Sequence, residues 1–274
     1  MYKLNGIVYN NQSRQTLLYA EDKSIETFKI EKGTDLIEKG AFDDCIYLRN
    51  VILSNNKKIV LQYNAFNCPN IENIFLGNLL SVSNLEKFIN LKSLKTITIT
   101  TNARNYPDIL LLLENYETPN LEEITIQKDN PFLLGTVFSE NGVIYRKDYS
   151  ESCISYYPQG KKDTVFEIPT FVNKTDIKTF CKNPYINTII IKSNIDFTKN
   201  TFVDCPNLET LVLKDANVLK EKLWENCPIK NIYADVDKDI TINSFTVHPL
   251  KDYEIETATS FKKINEFYKK KNHR

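Results

Sequence analysis

The sequence predicts an α/β solenoid, a curved right-handed β-α superhelix of short strand-bearing repeats, each about 23 residues long. Three observations predict it: an apolar motif that recurs along the chain, a column of aromatic residues with the same period, and a duplication that opens each half with a β-hairpin.

The motif is first seen at Cys45-Ile-Tyr-Leu-Arg-Asn-Val-Ile-Leu53 and returns as Cys68-Pro-Asn-Ile-Glu-Asn-Ile-Phe-Leu76. Further copies start at Leu91, Thr118, Asn183 and Cys205, and one with a residue deleted starts at Cys227. Weaker strand endings at Phe28-Lys29-Ile30 and Phe166-Glu167-Ile168 bring the expected count to nine rungs. In each rung two apolar positions alternate with one outward residue, as a strand with one buried face requires. The first inward column is Val51, Ile74, Ile97, Ile124, Phe166, Ile189, Leu211 and Ile232. The second is Leu53, Leu76, Ile99, Ile126, Ile168, Ile191, Leu213 and Ala234. An aromatic precedes each of the seven full copies, at Phe42, Phe66, Phe88, Tyr116, Phe180, Phe202 and Trp224, and closes the opposite wall of the core. No single repeat buries its own apolar edge, so stacking creates the core.

The hairpins are read at Asn5-Gly-Ile-Val-Tyr9 with Thr16–Ala20, and again at Asn141-Gly-Val-Ile-Tyr145 with Ser152–Tyr157. The second falls between rungs and is expected to project from the stack. No Gly/Ser-rich or Pro-rich linker separates the halves. The chain is therefore expected to be a single domain over 1–274, with halves at 1–136 and 137–236 and a C-terminal cap at 237–274. In that cap Ser260, Phe261, Ile264 and Phe267 or Tyr268 have the spacing of an amphipathic helix; the alternative is a docking tail carried by Lys262, Lys263 and Lys269 to Lys271.

Composition narrows the function. Lys+Arg and Asp+Glu both number 35, so no net field draws in nucleic acid. The N-terminus has no apolar leader, and the aliphatic run Ile109 to Leu113 is too short to span a bilayer, so neither an export signal nor a transmembrane segment is expected. Four of the six cysteines, Cys45, Cys68, Cys205 and Cys227, share one repeat position, which favours small buried thiols at a turn over a disulfide framework. There is no phosphate loop, HExxH or EF-hand spacing, and of the two histidines only His248 lies clear of the extreme tail. No enzyme, cofactor or metal site is expected. Asn11 and Asn173 fit the glycosylation pattern, a short motif.

Strand alternation then says where a partner would touch. The outward column is Ile52, Phe75, Thr98, Thr125, Ile190, Val212 and Tyr233, with Asn50, Asn73, Thr96, Glu123, Thr188, Thr210 and Asn231 two residues earlier. These residues suit any pleated surface, yet Ile52 beside Phe75, and Ile190 through Val212 to Tyr233, are also expected as apolar patches on an exposed face.

The segments Ala41-Phe-Asp-Asp-Cys45, Ala65-Phe-Asn-Cys68 and Thr201-Phe-Val-Asp-Cys205, the Leu-x-x-Ile-x-Leu that follows, and the hairpin Asn141–Asp148 leading through Tyr156-Tyr-Pro-Gln-Gly-Lys161 to Phe166-Glu-Ile-Pro169 resemble the BspA-type leucine-rich repeat family. The resemblance covers roughly residues 4 to 234. It implies a curved leucine-rich-repeat solenoid at a bacterial or protist cell surface that binds a host matrix or cell-surface protein through its concave sheet. Most rungs lack the proline that often follows the strand in this family, with Ser54, Gly77, Thr100, Gln127, Lys192 and Lys214 in its place. Two function classes follow: a surface or secreted adhesion module, and an intracellular protein-interaction scaffold.

Overall fold

The computed structural model describes residues 1–53, 59–76, 92–101, 113, 117–128, 136–219, 223–242 and 244–254. Phe88, Tyr116, the tail helix expected from Ser260 and His273 lie outside them. Two parallel ladders of longer strands run through the solenoid. The first passes through Thr27–Lys29, Asn50–Ile52, Asn73–Phe75, Thr96–Thr101 and Glu123–Lys128. The second passes through Val165–Ile168, Thr188–Ile191, Thr210–Leu213, Asn231–Ala234 and Phe245–Pro249, and closes with the antiparallel strand Ile240–Ile242.

Short strands form the opposite wall, where the β-α expectation placed helices. They include Leu36–Ile37, Val60–Leu61, Lys174–Thr175, Phe180–Cys181, Phe202–Val203 and Trp224–Glu225. Among the described residues helix is confined to the 3-10 turn Ala216–Val218, a turn at 250–254 and residue 113. The expected superhelix of alternating strand and helix is thus corrected to a stack made mostly of strands. The reason is local: Asp44, Lys182, Asp204 and Asn226, each one residue before the repeat position of the motif, hold φ between 52° and 62°. A helix cannot run through a left-handed residue, and Asp and Asn occupy that conformation at modest cost.

Both inward columns are buried, from Val51 to Ile232 and from Leu53 to Ala234, except for Phe166, which is half-buried on the edge strand of its sheet. On the opposite wall Phe42 and Phe66 stack at a centroid distance of 4.6 Å and nearly coplanar at 12°, and Phe28 reaches across from the first ladder to pack on Phe42, also at 4.6 Å. Tyr157, Phe180 and Phe202 follow one another at 5.0 and 5.2 Å. Trp224 leaves the column and packs on Phe245 at 4.7 Å. The cysteines of the motif tie the two features together: the Cys68 thiol donates to the Phe42 carbonyl at 3.3 Å, and the Cys205 thiol to the Phe180 carbonyl at 3.6 Å.

The hairpin segments carry one strand more than the sequence suggests. Tyr2–Leu4 pairs with Ile7–Tyr9 across Asn5-Gly6, and Thr136–Glu140 pairs with Val143–Lys147 across Asn141-Gly142. Both Asn-Gly pairs have positive φ, 47° and 75° in the first and 50° and 79° in the second, as a tight antiparallel turn demands. The third strand of each set then runs parallel to the short-strand wall, Thr16–Ala20 beside Leu36–Ile37 and Ser152–Tyr156 beside Lys174–Thr175. The second set does not project as expected. Ile144 and Tyr156 pack into the first buried cluster, while Val143, Tyr145, Ile154 and Tyr157 pack into the second. Its turn also covers the edge of Glu123–Lys128, since the Gly142 carbonyl accepts from the Ile124 N–H at 3.1 Å and Ser139 Oγ accepts from the Ile126 N–H at 2.8 Å. An unpaired strand edge is costly to bury, and this insertion satisfies it.

Candidate functional site

The long-strand face is built by register. Lys29, Ile52, Phe75, Thr98 and Thr125 stand side by side on the first ladder, and Glu167, Ile190, Val212, Tyr233 and His248 on the second. The seven residues named from the sequence therefore do fall into two continuous rows. Lys29, Glu167 and His248 extend those rows: Lys29 and Glu167 are the charged middle residues of the two weaker strand endings and were left out of the column, and His248 lies beyond the last repeat.

Exposure divides the two rows. Ile52, Phe75, Thr98, Thr125 and Ile190 are half-buried, so part of each side chain meets solvent. Val212 and Tyr233, expected on an exposed patch, are 4% and 6% exposed. The strand Phe245–Pro249 and the helical turn after it bring His248 and Tyr253 to the Tyr233 ring, at centroid distances of 5.7 and 5.3 Å. That covering was invisible in the sequence because it comes from residues beyond the last repeat. His248 itself is held by Asp239, with Nδ1 3.1 Å from the carboxylate.

Beside the apolar strip of the first ladder runs a row of hydrogen-bonded side chains. Asn50 Nδ2 donates to Thr27 Oγ1 at 3.0 Å, Asn73 Nδ2 to Asn50 Oδ1 at 2.8 Å, and Thr96 Oγ1 to Asn73 Oδ1 at 2.7 Å. One residue earlier in each strand, Arg49 and Lys95 both reach Glu72, at 2.6 and 2.7 Å. The hydrogen bond from Lys95 is the largest influence holding the Glu72 carboxyl below its ordinary value of 4.5, with the charges of Lys95 and Arg49 assisting and burial opposing. The Asn and Thr residues at this position look like ordinary strand polar residues in sequence; only the 23-residue register shows that they bond to one another.

An open cleft of about 480 Å³ lies where the halves meet, lined by Glu122, Glu123, Asn141, Lys161, Lys162 and Asp163. Four of its five charges are paired within it, Lys162 with Glu122 and Lys161 with Asp163, and Glu123 accepts from Thr125 Oγ1. Among the described residues no three His, Cys, Asp or Glu side chains are placed to hold a metal ion. No described helix is long and apolar enough to cross a membrane. Asn173, one of the two glycosylation-pattern residues, uses its side chain to accept from the Ser152 N–H at 2.8 Å and donate to the Ser150 carbonyl at 3.0 Å.

Three solved structures are similar to the chain. A leucine-rich cell surface protein from Faecalibacterium prausnitzii A2-165 is 19% identical with a TM-score of 0.40, over 82% of this chain and 52% of that one. A leucine-rich repeat protein from Eubacterium ventriosum is 14% identical with a TM-score of 0.38, over 81% and 74%. The pneumococcal vaccine antigen PcpA is 17% identical with a TM-score of 0.34, over 81% and 58%. The chain spans about half the length of the Faecalibacterium protein. No curated protein sequence matches it. A family model described as the BspA type leucine rich repeat region matches in 6 copies over residues 15–144 and 161–251, which takes in most of the chain and both ladders. The chain belongs to the BspA-type leucine-rich repeat family.

Proposed function

We propose that the protein is a non-catalytic protein-binding module that engages its partner through the long-strand face of the first ladder, and that it serves adhesion to a host matrix or neighbouring-cell protein. The observation that carries this reading is the continuous row Ile52–Phe75–Thr98–Thr125 alongside the hydrogen-bonded Thr27–Asn50–Asn73–Thr96 row. Half-buried apolar side chains on a rigid sheet lose little entropy on contact, and the fixed polar row sets register without itself needing to be ordered. Of the second-ladder residues Ile190, Val212 and Tyr233, only Ile190 is open to solvent, since Val212 and Tyr233 are covered.

The test compares wild-type protein with Ile52→Asp/Phe75→Asp, each immobilised and exposed to extracellular-matrix extract and to cytosolic lysate. A matrix protein retained by wild type and lost by the variant supports adhesion through this face. Equal retention by both places the binding surface elsewhere. A second reading, an intracellular scaffold using the same face, is favoured by the six free cysteines, the state that a reducing compartment maintains. Retention of a cytosolic partner alone supports that reading.

A further inference from the structure

Cysteine recurs at one position of the repeat, and the two pairs of neighbouring rungs that carry it are built differently. Cys45 and Cys68 are each 1% exposed and sealed in the first core. Cys205 is fully buried, whereas Cys227, in the last cysteine-bearing rung, is half-buried and open to solvent on one side.

The backbone sets Cys205 and Cys227 side by side. Their rungs run parallel with Phe202 opposite Trp224 and Val203 opposite Glu225, and the Asp204 N–H continues the ladder to the Glu225 carbonyl at 2.9 Å. Each cysteine follows a left-handed residue, Asp204 and Asn226, both at φ 52°. Each thiol turns the same way, onto the Val203 carbonyl at 3.5 Å and the Glu225 carbonyl at 3.3 Å. Equal local conformation in adjoining parallel rungs separates the two Cα atoms by the rung spacing of about 4.8 Å. That lies within the range of about 4.4 to 6.8 Å that a disulfide accepts. The neighbouring Cys205 thiol favours the thiolate at Cys227, while the Cys227 thiol and burial disfavour it at Cys205. Cys181 stands two rungs from Cys227, roughly twice the spacing that allows a bridge.

We propose that Cys205 and Cys227 are a reversible dithiol–disulfide couple, a modification site at which a small-molecule disulfide such as oxidised glutathione fastens the last two cysteine-bearing rungs together. The Cys227 thiolate attacks the glutathione disulfide, forming a mixed disulfide and releasing one glutathione thiolate, which takes up the proton Cys227 gave. The Cys205 sulfur then attacks the Cys227 sulfur, forming the inter-rung bond. The second glutathione leaves and takes the Cys205 proton. Two electrons pass from the protein thiols to glutathione disulfide, yielding two molecules of glutathione. Solvent access at Cys227 sets the order of the two steps, and burial makes Cys205 the resolving thiol.

The experiment incubates the folded full chain with oxidised glutathione, quenches in acid, and reads intact mass and non-reduced peptide maps for wild type, Cys205→Ser and Cys227→Ser. The expected wild-type product is lighter by two hydrogens, with the Cys205 and Cys227 peptides joined. Cys205→Ser stops with one glutathione on Cys227, and Cys227→Ser leaves Cys205 reduced. Wild type that stays unmodified, stops at glutathionylated Cys227, or joins Cys227 to Cys181 overturns the proposal. Because Cys227→Ser alters a half-buried residue, the proposal remains testable even where Cys205→Ser fails to fold.

Discussion

Asn73 Nδ2 lies 2.8 Å from Asn50 Oδ1 and donates to it, so two side chains a full repeat apart in sequence are edge neighbours on the long-strand face. Asn73 also accepts from Thr96 Oγ1, which makes it the middle of a row that runs across four rungs. Asn73→Ala removes both bonds and leaves two neighbours short of a partner. The expected cost is about 1 to 2 kcal/mol, read from the midpoint of urea unfolding. An unchanged midpoint contradicts a structural role for the row.

Phe66 is fully buried and stacks on Phe42 at 4.6 Å. Phe66→Ala opens a cavity in the aromatic wall and is expected to cost about 3 to 5 kcal/mol. Tyr63, three residues away and 61% exposed, provides the control. Its alanine variant is expected to stay within about 0.5 kcal/mol of wild type. Comparable losses at both positions show that the wall does not carry the core.

The Glu72 carboxyl is held below its ordinary value by Lys95 and Arg49. A depressed folded value means that ionised Glu72 stabilises the fold above the ordinary glutamate range, and that this contribution disappears as pH falls through the folded value. Glu72→Gln is therefore expected to melt below wild type at neutral pH, with the gap closing in acid and narrowing in high salt. Thermal melts across that range check it; a gap that widens as pH falls contradicts the assignment.

The strands Val143–Lys147 and Ser152–Tyr156 feed side chains into both buried clusters. This supports treating the whole chain as one cooperative array, which we put forward as a proposal. Wild type is expected to unfold in urea in one transition by fluorescence and by circular dichroism alike. Ile144→Asp, which places a charge in the shared wall, is expected to separate the halves into two transitions. A single transition in the variant, shifted but undivided, contradicts coupling through this wall.

Much of this was legible in the sequence, for a physical reason. Val51, Ile74 and Ile97 must be apolar whatever surrounds them, since each faces a core that only stacking makes, so burial leaves a periodic trace. Phe42, Phe66, Phe180 and Phe202 leave a second trace for the same reason. The strand character of that wall left no trace, because strands of two residues such as Leu36–Ile37 and Val60–Leu61 carry no alternation to detect. The covering of Tyr233 was equally hidden: it depends on Tyr253 and His248, which share no repeat with it. The asparagine of Cys-Pro-Asn was present in the motif without a role. In the structure Asn70 and Asn207 each donate to a carbonyl of the preceding rung, Ile46 at 2.8 Å and Pro184 at 2.6 Å, which fastens one turn to the next.

Hydroxyl-radical footprinting of the partner-bound protein tests whether a partner sits on the long-strand face of the first ladder. Partner binding is expected to lower oxidation at Ile52 and Phe75 and to leave the exposed short-strand-wall residues Val60 and Tyr63 unchanged. Protection of Val60 and Tyr63, with Ile52 and Phe75 oxidised as in the free protein, contradicts it and moves the interface to the opposite wall.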